Sequence, residues 1–333
     1  MSTVFLGTSE FAAEVLARLA GSDAHRPALV LTRPDRPSGR GRRVASPPVA
    51  ARARALRIPL EQPASVNDPE ARELIAQAGR SGSGGVPGRD GEGMPGGRQI
   101  LIVCAFGALI KEPLLSEHEI LNVHPSLLPR WRGAAPVERA IMAGDAHTGV
   151  SIMRLTAGLD SGPVCLAASE AIRPEDSYGS LAPRLARIGG ELLLRALDEA
   201  PAFVEQPEQG VTYAEKIAPA DRLLDPLRPA AELERVVRAL HPHIGARLAL
   251  GNGTFLGVHR AAEIEAEPPN GDAVAALSTA QEGSLGAGMV VSDGRLLLDC
   301  SPGVLELTEV QPPGGRAMDA ASYLRGHPPP ARR

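Results

Sequence analysis

The chain begins with an apolar run, a tight break, an amphipathic stretch and a second apolar run, and that order narrows its fold more than any other feature. Val4-Phe-Leu6 reads as a buried strand, and Gly7-Thr-Ser9 ends it. Phe11, Val15, Leu16 and Leu19 then share one face of a helix that Ser9 can cap. Residues 28–32 form another short apolar run. A helix joining two such strands lets them pair in parallel, so an α/β domain with a mainly parallel sheet is predicted. The alternation continues with helices over 49–56 and 69–78, a short strand near Pro59, and strands over 100–104 and 120–124. A helix over 137–142, strands over 150–155 and 164–168, and a long helix from about 180 to 200 complete it. Pro183 is compatible with that last helix if it lies in the first turn.

The pattern is interrupted twice. Residues 79–98 are rich in Gly, Ser and Pro and have almost nothing to bury, which predicts a disordered surface insertion. Residues 201–212 read as a linker. Beyond it, one helix (231–240) is followed by apolar runs meeting at Asn252-Gly253 and Asp293-Gly294, which are strong hairpin signals. The expected organisation is a catalytic α/β domain over 1–200, a smaller antiparallel domain over 213–322, and a Pro-rich tail over 323–333. Pro226 has no role that the sequence pattern explains.

Composition excludes several classes. A chain of 333 residues with 43% apolar residues can bury two cores. Its net charge of -4 gives no global sign of nucleic-acid binding, so any such role must rest on a local patch. One exists: residues 33–43 carry five arginines against one aspartate. Their Pro and Gly content predicts irregular structure, and the loop is either a solvated face or a phosphate grip. The three cysteines, Cys104, Cys165 and Cys300, are far apart, which predicts neither a disulfide framework nor a structural zinc. No signal-peptide pattern or membrane-length apolar run is present, so a cytoplasmic protein without a membrane partner is expected, and separately a monomer.

Chemistry-bearing residues concentrate between 122 and 133. Asn122 and His124 alternate on one strand face, at the strand end where open α/β sheets place ligands. Asp160 follows a later strand in a Gly-Leu-Asp-Ser-Gly turn. An amide that stabilises negative charge, an imidazole and a proton-accepting carboxylate suit acyl transfer to an amine. Taken singly, a strand-end histidine is commonly structural and an aspartate of this kind can be a turn former. The residues alone therefore define a site resembling one for acyl transfer and no more.

Asn122-Val-His124, followed by Ser126-Leu-Leu-Pro129, with Asp160 in its turn, resembles the signature of the 10-formyltetrahydrofolate-dependent formyltransferases. Those motifs are equally at home in enzymes acting on glycinamide ribonucleotide or a sugar nucleotide, or in a formyltetrahydrofolate hydrolase. Phe5-Leu-Gly-Thr-Ser-Glu-Phe11, the loop over 33–43 with Ser46-Pro47, Arg130-Trp-Arg-Gly-Ala-Ala-Pro136 and Thr212-Tyr-Ala-Glu-Lys216 are similar to the methionyl-tRNA formyltransferase family in particular. The resemblance implies a Rossmann-like N-terminal formyltransferase domain and a C-terminal OB-like β-barrel that helps grip tRNA. It implies catalytic roles for Asn122, His124 and Asp160, and folate contacts from Ser126, Leu127, Leu128 and Pro129. Arg36, Arg40, Arg42 and Arg43 would contact tRNA. The implied substrates are 10-formyltetrahydrofolate and initiator methionyl-tRNA, with no metal. The Gly-rich stretch before residue 99 is not part of the family's usual pattern.

Overall fold

The computed structural model of the protein describes residues 2–38, 43–81, 99–250, 253–264 and 288–327. The chain divides into two compact units: Met1–Pro136 with His147–Ala171 and Ala182–Ala214, and Val137–Ala146 with Ile172–Leu181 and Glu215–Arg333.

The first unit is built on a seven-stranded sheet. Its spatial order is Val164–Ala171, His147–Arg154, Glu119–His124, Gln99–Cys104, Ser2–Gly7, Leu29–Leu31 and Leu60–Glu61. The last five strands are parallel, while His147–Arg154 and Val164–Ala171 add on as antiparallel partners. Ser2–Gly7 is buried along its whole length, as a central parallel strand covered on both faces must be. Helix Glu10–Ala20 buries Phe11, Val15, Leu16 and Leu19, each contributing roughly 1.5–3 kcal/mol. The Ser9 side chain accepts from Ala12 N, which is the predicted cap. Gly7 allows this helix to start against the sheet, because a Cβ there would lie 2.9 Å from Ala12 Cβ and 3.0 Å from Cys104 O.

Val4, Leu6, Leu29, Leu31, Leu101 and Val103 pack with Ile75 of helix Pro69–Ser81 in one cluster. That helix runs to Ser81, so regular structure reaches into the stretch read as an insertion, and residues 82–98 lie outside those described. The long helix is Tyr178–Glu199, two residues earlier than expected, which moves Pro183 from the first turn to the second. Its missing N–H then removes one helical hydrogen bond. Within 201–212, Val204 exchanges both backbone hydrogen bonds with Val164 at 2.9 Å, so this stretch is bound to the edge of the first sheet.

The arginine-rich loop also departs from expectation. Arg36–Ser38 pairs antiparallel with Arg43–Ala45, a short hairpin where irregular structure was predicted. A two-stranded ribbon has no central strand, which is why Pro37 fits in it.

In the second unit, Ala246–Ala249, Phe255–Ile264, Val304–Gln311, Arg295–Asp299 and Met289–Ser292 form an antiparallel sheet in that order, and Met318–Asp319 pairs with Val304–Gln311. Asp293 and Gly294 both adopt positive φ (50° and 74°), as a two-residue hairpin turn requires. Leu233, Val237 and Leu240 of helix Ala230–Leu240 pack with Leu248, Leu256, Leu296 and Leu305. Pro226 occupies the second position of a turn closed by Arg228 N donating to Asp225 O at 3.0 Å, where its fixed φ is preferred.

Candidate active site

Strand Glu119–His124 pairs in parallel with Gln99–Cys104 and antiparallel with His147–Arg154, placing Asn122 opposite Met153 and His124 opposite Ser151. The two-residue period sends both side chains to one face, and they are 8% and 4% exposed. Both stand at the C-terminal end of the strand.

Asp160 approaches them from the turn after His147–Arg154, with φ at +42°, a conformation uncommon for a residue other than glycine. Asn122 Nδ2 donates to Asp160 Oδ1 at 3.3 Å, and the Gly133 backbone N–H donates to Asp160 Oδ2 at 2.9 Å. His124 Nδ1 lies 3.7 Å from Oδ2. His124 Nε2 is 2.9 Å from Trp131 O. A carbonyl only accepts, so Nε2 carries a hydrogen, and Nδ1 is the nitrogen turned towards Asp160. At 3.7 Å that contact is electrostatic, and it becomes attractive when the imidazole is charged. The three residues singled out in the sequence thus meet in one place. The firm anchor of His124, however, is the Trp131 carbonyl and not the aspartate.

The loop after the strand builds the wall. Ser126 is fully buried; its hydroxyl donates to Arg130 O at 2.6 Å, and its carbonyl accepts from Ser151 Oγ at 2.8 Å. Ser151 Oγ also accepts from Leu128 N at 3.2 Å. Ser126 is therefore turned into the loop, whereas Leu127, Leu128 and Pro129 are half-buried along it. Trp131, at φ +62°, is held by its N–H donating to Thr212 Oγ1 at 2.9 Å. Gln206 Nε2 donates to Asp160 O and Gly162 O at 2.8 and 2.7 Å, while its Oε1 accepts from Arg132 Nε at 2.9 Å. The sequence reading missed Gln206 because nothing in Glu-Gln-Pro-Glu-Gln distinguishes it from Gln209. The signal that exposes it is purely three-dimensional.

At the same sheet edge, beyond strands Gln99–Cys104, Ser2–Gly7 and Leu29–Leu31, lies a cavity of about 500 Å³ lined in part by Thr8, Ser9, Arg33, Pro34, Ala105 and Phe106. This is where the strand order reverses direction, the usual ligand crevice of an open α/β sheet. The base of the arginine hairpin borders it and is fixed by Asp35, which accepts from Gln62 Nε2 at 2.7 Å and Ser46 Oγ at 2.9 Å. Those two bonds, with Arg54 nearby, hold the Asp35 carboxyl below its ordinary range. Arg36 is exposed on the hairpin; Arg40 and Arg42 lie outside the described residues, and of Arg43 only the backbone is described. Among the described residues, no group of three or more His, Cys, Asp or Glu is placed to hold a metal ion, and no helix is long and apolar enough to cross a membrane.

The mainly parallel sheet, with an amide, an imidazole and a carboxylate meeting at its C-terminal edge, can be set beside known proteins. Residues 95–197 match the formyl transferase family, and residues 216–328 match the formyl transferase C-terminal domain. The methionyl-tRNA formyltransferase of Dechloromonas aromatica is 38% identical over 98% of this chain and 96% of its own length. Among solved structures, the methionyl-tRNA formyltransferase of Clostridium thermocellum superposes with a TM-score of 0.56 at 12% identity, over 80% of this chain and 95% of its own. HypX of Aquifex aeolicus in complex with tetrahydrofolic acid gives 0.58 at 15% identity, over 97% of this chain and 47% of its own. The chain belongs to the methionyl-tRNA formyltransferase family.

Proposed function

We propose that the protein transfers the formyl group of 10-formyltetrahydrofolate to the α-amino group of initiator methionyl-tRNA, in translation initiation in the cytoplasm and as a monomer. The observation that carries this reading is the convergence of Asn122, His124 and Asp160, with Gly133 N–H and Asn122 Nδ2 both on the carboxylate. The folate supplies an activated formyl group. Leu127, Leu128 and Pro129 offer a half-buried apolar wall beside the polar trio, which fits a flat ring with one polar edge. Ser126 supports that wall from within.

In the reaction, the amine nitrogen bonds to the formyl carbon, the bond from that carbon to N10 breaks, and one proton passes from the amine to N10. An α-amine titrates at about 7.7–8, so much of it is already nucleophilic near neutrality and positioning is the larger task. Asn122 Nδ2 carries two hydrogens; Asp160 takes one, and the other serves the oxygen that gains negative charge. Asp160 accepts the proton that the amine sheds and returns one to N10, while His124, its Nδ1 3.7 Å from Oδ2, lines the same site.

The same reading assigns residues 1–200 to catalysis, 201–212 to a linker that is itself packed on the first sheet and holds the site loops, and 213–322 to an OB-like domain that shares the grip on tRNA. Arg36, Arg40, Arg42 and Arg43 would meet the tRNA phosphates. Single-turnover formylation of charged initiator tRNA tests the reading, and absence of formyl-methionine in the product would refute it.

A further inference from the structure

Gln206 joins two loops that no sequence pattern connects, and all three polar groups of its amide arrangement are accounted for. Its nitrogen donates to Asp160 O and Gly162 O at 2.8 and 2.7 Å, using both hydrogens. Its oxygen accepts from Arg132 Nε at 2.9 Å. The orientation of the amide is unambiguous. Carbonyls can only accept and a guanidinium can only donate, so a flipped amide would meet a like group on either side.

The two loops held in this way face each other across the candidate site. One carries Asp160 in its positive-φ backbone conformation. The other carries the Gly133 N–H that donates to Asp160 Oδ2 and the Trp131 carbonyl that anchors His124. A backbone conformation that is intrinsically sparse persists only when its surroundings over-determine it. The Gly133 bond holds the Asp160 side chain and the Gln206 bonds hold its main chain, so together they fix where the carboxylate points. Asp160 is 13% exposed at its side chain, and Gln206 itself is only half-buried, so its role is not that of a core-filling residue.

We infer that Gln206 is a positioning residue for the formyl-transfer site, a clamp that fixes the backbone of the Asp160 turn against the Arg132 loop. The inference rests on the catalytic reading of Asp160. It predicts a loss confined to the chemical step, because Gln206 touches neither substrate in that reading but sets the aim of the group that takes the proton.

The test compares the full-length protein with Gln206→Met, which keeps the length without the hydrogen bonds, and Gln206→Glu, which keeps the acceptor but cannot donate to the two carbonyls. Both variants should lower kcat by roughly 10- to 100-fold, the cost of misplacing a reacting group by about 1 Å. KM for both substrates should stay within about 3-fold, since uniform binding is untouched. Hydrogen–deuterium exchange should quicken in peptides covering 130–135 and 158–163 and not elsewhere. Folded variants with unchanged kcat would overturn the inference, as would a loss that appears only as a lower folded fraction. If the parent protein formylates nothing, the catalytic reading fails by itself. The exchange data then decide the clamp alone, and unchanged exchange in those two peptides would refute it.

Discussion

The backbone N–H of Gly133 donates to Oδ2 of Asp160 at 2.9 Å, so a residue that has no room for a side chain also orients the carboxylate of the site. Gly133 has φ of +119°, and a Cβ there would lie 2.8 Å from the carbonyl oxygen of Ala214, a main-chain atom that cannot rotate away. Gly133→Ala therefore shifts the loop and lengthens this bond. A hydrogen bond to a charged group is worth about 1.5–3 kcal/mol, so kcat should fall roughly 10- to 100-fold. Steady-state kinetics on the purified variant, with circular dichroism to confirm folding, checks this. Retained turnover would show that the bond is dispensable.

Asp160→Asn removes the proposed proton acceptor while keeping the shape of the side chain. Turnover should fall by about 10²–10⁴, the range of a lost general base, while folate affinity measured by titration calorimetry stays unchanged. Near-normal turnover in this variant would remove Asp160 from the chemistry.

The arginine hairpin should reveal itself through salt. If Arg36 and Arg40 meet phosphates, the logarithm of tRNA affinity falls linearly with the logarithm of salt concentration. Replacing either by Ala should flatten that slope by about 0.7–0.9. Filter binding across a salt series measures it, and an unchanged slope would return the hairpin to a solvated face.

Asp221 offers a stability test that is independent of the active site. Arg139 donates to both its carboxylate oxygens, at 3.2 and 2.8 Å, which with Ala218 N–H holds the carboxyl below its ordinary value of 3.8. A folded-state value below the unfolded one means the native state resists protonation. The stabilisation is therefore complete above the ordinary carboxylate range and disappears as pH falls through and below it. Asp221→Asn should cost about 1 kcal/mol at neutral pH, a modest figure because the pair is partly exposed. The difference between variant and parent in urea unfolding should shrink towards pH 3, and a constant difference would contradict the assignment.

Much of this architecture was readable from the residues because it follows local rules. The apolar run at Val4, the Ser9 cap and the period of Phe11, Val15 and Leu19 fix the first strand and helix without distant help. Asp293-Gly294 likewise determines its hairpin turn. Asn122 and His124 were visible because alternation on a strand places them on one face. What stayed hidden depends on contacts between segments remote in sequence. Gln206 and Asp160 are 46 residues apart. Thr212 reaches Trp131 across 81. The anchoring of His124 by a main-chain carbonyl has no side-chain signature at all. Pro183 shows the converse, since a helix supported by tertiary packing can begin two residues early and tolerate a proline that the local rule would place in the first turn.

The most direct measurement is formyl transfer from 10-formyltetrahydrofolate in parallel reactions. The acceptors are charged initiator Met-tRNA, charged elongator Met-tRNA and glycinamide ribonucleotide. Rapid formylation of the initiator alone is the predicted result. Consumption of the folate with glycinamide ribonucleotide, and none with the initiator, would contradict the proposed acceptor while leaving the formyl transferase fold in place.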